Sequence, residues 1–362
     1  MPKTRLANAV RLEFAANSLV HLNLSGAAFS GEWLWVAGDE AAGVDRLRRL
    51  DPLGSEALRF GEVRDFALGD LLDLPGAPDE EADLEGMAVA DGWLWVVGSH
   101  GRKRKATRPE SSHADNARRL AKLTLDGNRR LLACLPIEAD EHGAPGLVRK
   151  AGDGRRAMAL KGDAKSNELT SALAGDPHFG AYMALPGKDN GFDIEGLAID
   201  ADRLLLGLRG PVLRGWSALL EIAVEVRGGQ LRLKPLDDRG TLVRKHFLQL
   251  DGLGVRDLHF SGDDLYLLAG PTMVLNGEIR LFKWPGARPL LAANREAVRF
   301  ETALTESVVL PHARGSNRAE ALCEVPATLA AGSPSWLVLY DAPAPDRCDG
   351  EFTVFGDLLR QR

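Results

Sequence analysis

The 362-residue chain carries 45 Lys+Arg against 51 Asp+Glu, with 45% apolar and 27% charged residues, a mixture that excludes a disordered or collagen-like chain. Its net charge of −6 argues against bulk electrostatic binding to nucleic acid or an anionic membrane, while leaving room for a local basic site. The length accommodates two or three compact domains, or one large all-β or α/β unit.

The N-terminal segment MPKTRLANAVRLEFAANS lacks the continuous apolar stretch and small-residue cleavage site of a secretory signal. No window approaches the roughly 20 consecutive apolar residues that span a bilayer. Cys134, Cys323 and Cys348 are far apart and lack metal-ligand spacing, so a reducing, cytoplasmic location without structural zinc is expected. Cys323, in the apolar run EALCEV, reads as a small buried hydrophobe.

From Leu24 onward the chain repeats. LSGAAFSGEWLWVAGDE begins at Leu24, LEGMAVADGWLWVVGSH at Leu84, IEGLAIDADRLLLGLRG at Ile194 and VRDLHFSGDDLYLLAGP at Val255. A weaker copy, AEALCEV followed by SWLVLYDAP, begins at Ala319. Each copy predicts a hairpin: an apolar strand, a turn rich in Asp and Gly, and a second apolar strand. Alternating segments follow the hairpins and are expected as outer strands: DRLRRL, then RRLAKLTLD with RRLLACL, SALLEIAVEV with LRLKPL, and IRLFKW with RPLLAA. A four-stranded unit repeated about every 60 residues, with buried inner strands, predicts a single all-β domain over residues 1–362, a β-propeller. Only EFTVF follows the fifth hairpin, so VRLEFAA near the N-terminus is expected to supply the missing outer strand. Five blades result, with six as the alternative.

The second and third copies stand 110 residues apart. The excess, residues 136–190, is expected to be an insertion projecting from the propeller, partly helical at KSNELTSALAG, and acting as a lid or substrate wall or as decoration.

Superposing the repeats aligns Ser25, Glu85, Glu195, Arg256 and Glu320 just inside the first strands. Asp83 and Asp193 precede two of these glutamates, as D-L-E-G and D-I-E-G. The second strands end at Asp39-Glu40, Ser99-His100, Arg209, Gly270-Pro271 and Tyr340-Asp341. Three glutamates in one ring require compensation. Either a hard divalent cation, Ca²⁺ foremost, is held by Glu85, Glu195 and Glu320 with Asp83 and Asp193, or Arg209, Arg256 and Arg318 neutralise the glutamates. The D-x-E-G segments also have a local reading, with Asp capping a turn and Gly supplying φ > 0.

The run GSHGRKRKATR follows an inner strand and carries His100, Arg102, Lys103 and Arg104, while Arg209 and Arg214 occupy LRGPVLRGW. This reads either as a solvated basic loop or as an anion pocket at the carboxylate end of the ring, in which guanidinium forks grip phosphate or carboxylate. His100 is the best-placed general base by position and by its usable pKa. His21, His142, His178 and His312 are less well placed, and His259 reads as a packed strand residue. No G-x-S-x-G elbow, H-E-x-x-H, Walker A or Rossmann fingerprint is present.

The segments DLEGMAV with WVVGSHGRKR, GFDIEGLAI with LLLGLRGPVLRGW, and GLGVRDLHF with LYLLAGPT resemble the bacterial "domain of unknown function 3616" family over roughly Asn23 to Trp284. More loosely, the D-x-E-G openings are similar to the esterase-like phytase and gluconolactonase-type propellers. That second resemblance implies a divalent ion in the central channel and hydrolysis of phosphate esters or lactones, carried here by Glu85 and Glu195 with Asp83 and Asp193. Ser25 and Arg256 depart from the pattern.

The residues together suggest a metal-dependent hydrolase of a small anionic substrate. Glu85, Glu195 and Glu320 would hold the metal, Arg209, Arg256 and Arg102 would clamp the anion with Lys103, Arg104, Arg214 and Arg318 nearby, and His100 would move the proton. The alternatives are a non-catalytic scaffold with a structural Arg/Glu ring, binding an anionic ligand or a protein partner, and nucleotide or nucleic-acid recognition through residues 98–108.

Overall fold

A computed structural model describes residues 8–16, 18, 20–52, 58–313, 315–329 and 335–360. The protein is all-β, built on the five repeated hairpins. Their first strands are Leu24–Ser30, Leu84–Ala90, Asp193–Asp200, Gly254–Ser261 and Arg318–Val325. Each pairs antiparallel with the strand that follows it. The turns are tight because their residues accept φ > 0; in the second hairpin Asp91 and Gly92 have φ of 50° and 75°, the backbone that matches the twist of two paired strands.

The first strands neighbour one another in chain order, and the fifth returns to the first, so the hairpins form a closed cycle. Apolar clusters fill the spaces between successive hairpins, as where Val97 and Leu132 meet Ile194, Leu197 and Leu206. The segment VRLEFAA closes the chain as its pattern predicts: Asn8–Glu13 pairs antiparallel with Thr353–Arg360, Arg11 opposite Phe355. It also pairs parallel with Leu58–Ala67, joining the first and last sheets.

Two segments expected as outer strands are helical in whole or in part, RRLAKLTLD keeping only the two-residue strand Leu123–Thr124. RRLAKLTLD begins in the helix His113–Ala121, and RPLLAA lies in the helix Ala287–Ala293. Leu, Ala and Arg dominate the helical part of each and outweigh the short alternation, and Pro289 falls in the first turn of its helix, where proline is tolerated. The insertion does not simply project. Its helix Glu168–Leu173 buries Leu169 and Leu173, and with Phe179 these pack beside Phe192 and Phe247 between the second and third hairpins. No helix among the described residues is long and apolar enough to cross a membrane.

One irregularity recurs in all five hairpins. The pairing register shifts between Leu24 and Gly26, Leu84 and Gly86, Ile194 and Gly196, Val255 and Asp257, and Ala319 and Ala321. The skipped residues are Ser25, Glu85, Glu195, Arg256 and Glu320, so the aligned polar position is a β-bulge. A bulge takes its residue out of the ladder and re-aims the side chain. The glycine after two of these bulges is needed for close approach, and not for the positive φ that the local reading of D-x-E-G supposes. A Cβ on Gly196 would lie 2.5 Å from Leu258 Cδ2 and 2.9 Å from Asp257 Cα, and one on Gly86 would lie 2.8 Å from the Leu197 nitrogen.

The substitution Gly196→Ala should therefore separate the third and fourth hairpins. We expect a loss of about 1–3 kcal/mol in urea denaturation, with the m-value unchanged.

Candidate functional site

The bulge residues converge at one end of the ring, where the second strands terminate. There the structure divides the carboxylates into two groups. In the first, Arg209 at the end of the third hairpin ion-pairs with both Asp193 and Glu195. Arg256, one bulge further on, bridges Glu195 at 3.2 Å and Glu320, and donates to the Pro271 carbonyl at 3.0 Å. Arg318 pairs with Asp341 at 2.9 Å. Burial pushes Glu195 up to about 8, against the pull of Arg209 and Arg256.

The second group is short of cations. Asp39, Asp83 and Glu85 each present a carboxylate oxygen within 4.8 Å of the others. Asp83, at φ 49°, is paired with Arg129 at 2.5 Å. Asp39 keeps a buried oxygen, Oδ1, without a hydrogen-bond partner. Glu85 is only 7% exposed, and no cation or hydrogen-bond donor reaches its carboxylate among the described residues. The neighbouring bulge offers no cation: Ser25 stands there and donates its hydroxyl to the Leu84 carbonyl. Burial, then Asp83, Glu195, Glu320 and Asp39, drives the Glu85 carboxyl well above the ordinary range. Asp39 is pushed up to about 7 by burial and by Asp83, Glu320 and Asp341. Burial and Glu320 raise Asp341 to about 6.

Several sequence-predicted roles are corrected here. Asp193, Glu195 and Glu320 lie in the group bridged by Arg209 and Arg256, and among the described residues none of the three belongs to the carboxylate trio that stands close enough to share an ion. Arg209, Arg256 and Arg318 are correspondingly paired with carboxylates of the protein itself. His100 is 1% exposed and has no free ring nitrogen: Nδ1 donates to the Gly98 carbonyl at 2.8 Å, and Nε2 accepts from the Asn167 amide at 2.8 Å. Burial, then Arg130, lowers its pKa to about 3, so it is a neutral structural residue and not a general base. The basic loop is stapled down: Lys103 pairs with Glu81, Arg104 with Asp189 at 2.6 Å, and Arg102 donates to the Met183 carbonyl at 3.4 Å. Arg214 stands exposed at φ 50° in the turn between Leu213 and Trp216.

Sequence reasoning did not assign Asp39 or Arg129 to the site. Asp39 was legible as the end of a repeated second strand. Arg129 lies in the short helix Gly127–Arg130, outside the repeated hairpins, where no repeat marks a position.

Residues 23–357 match the family described as protein of unknown function, DUF3616. The chain belongs to this family. No curated protein matches this DUF3616 member. Solved structures similar to it include a putative oxidoreductase (glucose dehydrogenase) of Thermus thermophilus, 14% identical, with 93% of this chain and 96% of that chain covered and a TM-score of 0.37. A Bombyx mori GH32 β-fructofuranosidase is 13% identical over 93% of this chain and 61% of its own, at a TM-score of 0.34. A computationally designed protein is 11% identical over 98% and 99%, at 0.32.

The two halves of the ring should respond differently to substitution. Arg209→Met leaves Asp193 and Glu195 buried with less compensation, at a cost of about 3–5 kcal/mol, measured by urea denaturation. Asp39→Asn acts oppositely in chelator. The folded protein keeps a proton on Asp39 up to about pH 7 that the unfolded chain releases at about pH 4, so this residue's contribution to stability falls as pH rises between those values. The stability of Asp39→Asn relative to wild type should thus grow from about pH 5 to about pH 7, by at most about 1.4 kcal/mol per pH unit. A constant difference would contradict the assigned environment.

Proposed function

We propose that the chain is a five-bladed β-propeller whose ring end binds a divalent cation between Asp39, Asp83 and Glu85, and hydrolyses a small anionic substrate there, a phosphate ester or a lactone. The closed cycle of five first strands and the pairing of the N-terminal with the C-terminal strand support the blade number. One observation carries the functional reading: Glu85 is buried in a carboxylate cluster and makes no ion pair or hydrogen bond through its carboxylate among the described residues. Burying such a charge unpaired is costly, and carboxylate oxygens without nitrogen or sulfur suit a hard ion such as Ca²⁺. The fit is good on one side of the ring only, because Glu195 and Glu320 are satisfied by arginine.

Asp39, Asp83 and Glu85 would hold the ion, and the rigid Glu195–Arg256–Glu320 chain would form the facing wall. When bound, the ion would polarise a substrate oxygen or lower the pKa of a bound water. Asp39 and Glu85 would bind it as carboxylates, giving up the protons that their environment otherwise retains, so affinity rises with pH.

The saturation of Arg209 and Arg256 by carboxylates favours a second reading, a scaffold with a structural ring. The two readings separate in one experiment. Ca²⁺ should raise the melting temperature more at pH 8 than at pH 5, and Glu85→Gln should abolish the effect. A hydrolase should also cleave 4-nitrophenyl phosphate or a simple lactone in a chelator-sensitive manner that Glu85→Gln loses. Calcium binding without turnover of either would support the scaffold. Turnover undiminished by chelator would overturn the metal assignment.

A further inference from the structure

The second strand of the second hairpin, Trp93–Gly98, pairs antiparallel with Leu132–Ala139. Antiparallel neighbours are ordinarily joined by about 2–5 residues, yet residues 99–131 stand between these two. Within that excursion residues 102–122 hold eight Lys and Arg against two acidic residues, in a chain whose net charge is −6. Its helix His113–Ala121 buries no residue, so hydrophobic packing is not what keeps it there. A long connection that adds nothing to the core is a place for function.

Polar contacts hold the helix in place. Ser112 caps it, accepting from the Asp115 nitrogen at 3.1 Å. The Asn116 side chain clasps the preceding loop, accepting from the Arg108 nitrogen and donating to the Arg108 carbonyl, both at 2.9 Å. Arg119 donates through Nε to the Ala106 carbonyl at 2.6 Å, and the Lys105 nitrogen donates to the Lys122 carbonyl at 3.1 Å. Loop and helix thereby border a concavity of about 330 Å³, lined by Lys105, Ser111, Asp115, Arg118, Arg119 and Lys122, a volume at the lower end of the range for ligand pockets. Four cations face one carboxylate there. Lys105 and Lys122 make no ion pair among the described residues, and Arg118 pairs with Asp115 in an exposed bridge of the kind that contributes little. Arg118 and Lys122 stand four residues apart, where like charges oppose a helix. The helix dipole accounts for cations in the last turn, but Lys105 comes to the same concavity from a different segment.

We propose that this concavity is a binding site for a small polyphosphate, a ligand carrying two or more linked phosphates. It shares no residue with the carboxylate cluster and does not depend on the cation reading. Guanidinium forks and lysine ammoniums both suit phosphate oxygens, and Ser111 adds a hydroxyl donor. The excess of cations over carboxylate calls for more than one negative charge on the ligand. A nucleic-acid strand fits less well, because residues 99–131 contain no Phe, Trp or Tyr on which a base could stack.

The test titrates inorganic triphosphate into the full chain by calorimetry, in chelator, with orthophosphate and a single-stranded oligonucleotide as comparators. One triphosphate should bind per chain, about tenfold or more tightly than orthophosphate. Lys105→Gln combined with Lys122→Gln should weaken it by about tenfold or more. Lys150→Gln combined with Lys165→Gln makes the same charge change outside the excursion and should leave the affinity within about twofold. Equal losses in both double variants would assign the binding to bulk charge and overturn the site. Undiminished affinity in the first variant would overturn it too, as would a wild type that binds no triphosphate or binds orthophosphate as tightly. An oligonucleotide that binds more tightly than triphosphate, and loses affinity in the first variant, would make the excursion a nucleic-acid surface and overturn the polyphosphate claim. All four lysines are exposed, so unchanged melting temperatures should show that the variants fold.

Discussion

A bulge repeated at the same place in five strands governs the whole ring end. It lifts one residue per hairpin out of the ladder and turns it toward its counterparts, forcing Ser25, Glu85, Glu195, Arg256 and Glu320 into one polar layer. Layers of this kind must balance their charges, because burial withholds the solvent that would otherwise do so. With three glutamates, one arginine and one serine at the bulges, balance is impossible from the bulge residues alone. Arg209 and Arg129 are drawn in from adjoining segments, and they settle Asp193, Glu195 and Asp83 while leaving Glu85 out.

The asymmetry is what makes the site interesting chemically. A ring neutralised all round would be a structural plug. Here the plug is half complete, and in the other half burial and mutual repulsion have raised the carboxyls of Glu85 and Asp39. Raised carboxyls gathered in one place are a functional signature when geometry lets a ligand relieve them. The insertion packs into the groove between two hairpins and ends on a braced loop beside Asp193.

Much of the architecture was legible before any coordinates. Hairpin repeats, the closing strand VRLEFAA and the aligned ring all follow from hydrophobic pattern and spacing, which depend on burial within each repeat. What the pattern could not supply was partnership across the ring. Arg209 and Arg256 were visible as candidates for either clamping an anion or neutralising glutamates, and only the three-dimensional contacts decide for the second. His100 illustrates the same limit: its place after an inner strand suggests chemistry, but Asn167, 67 residues away, occupies the ring nitrogen a base would need. RPLLAA failed for a simpler reason, since six residues of alternation also fit one face of a short helix.

The central claim is that Asp39, Asp83 and Glu85 bind a cation, and diffraction from crystals grown with Mn²⁺ tests it most directly. Anomalous scattering should give a strong peak at roughly 2.0–2.6 Å from an oxygen of each of the three carboxylates, with Glu195 and Glu320 still on their arginines. An anomalous map that is empty at the three carboxylates, whatever it shows elsewhere, would contradict the account.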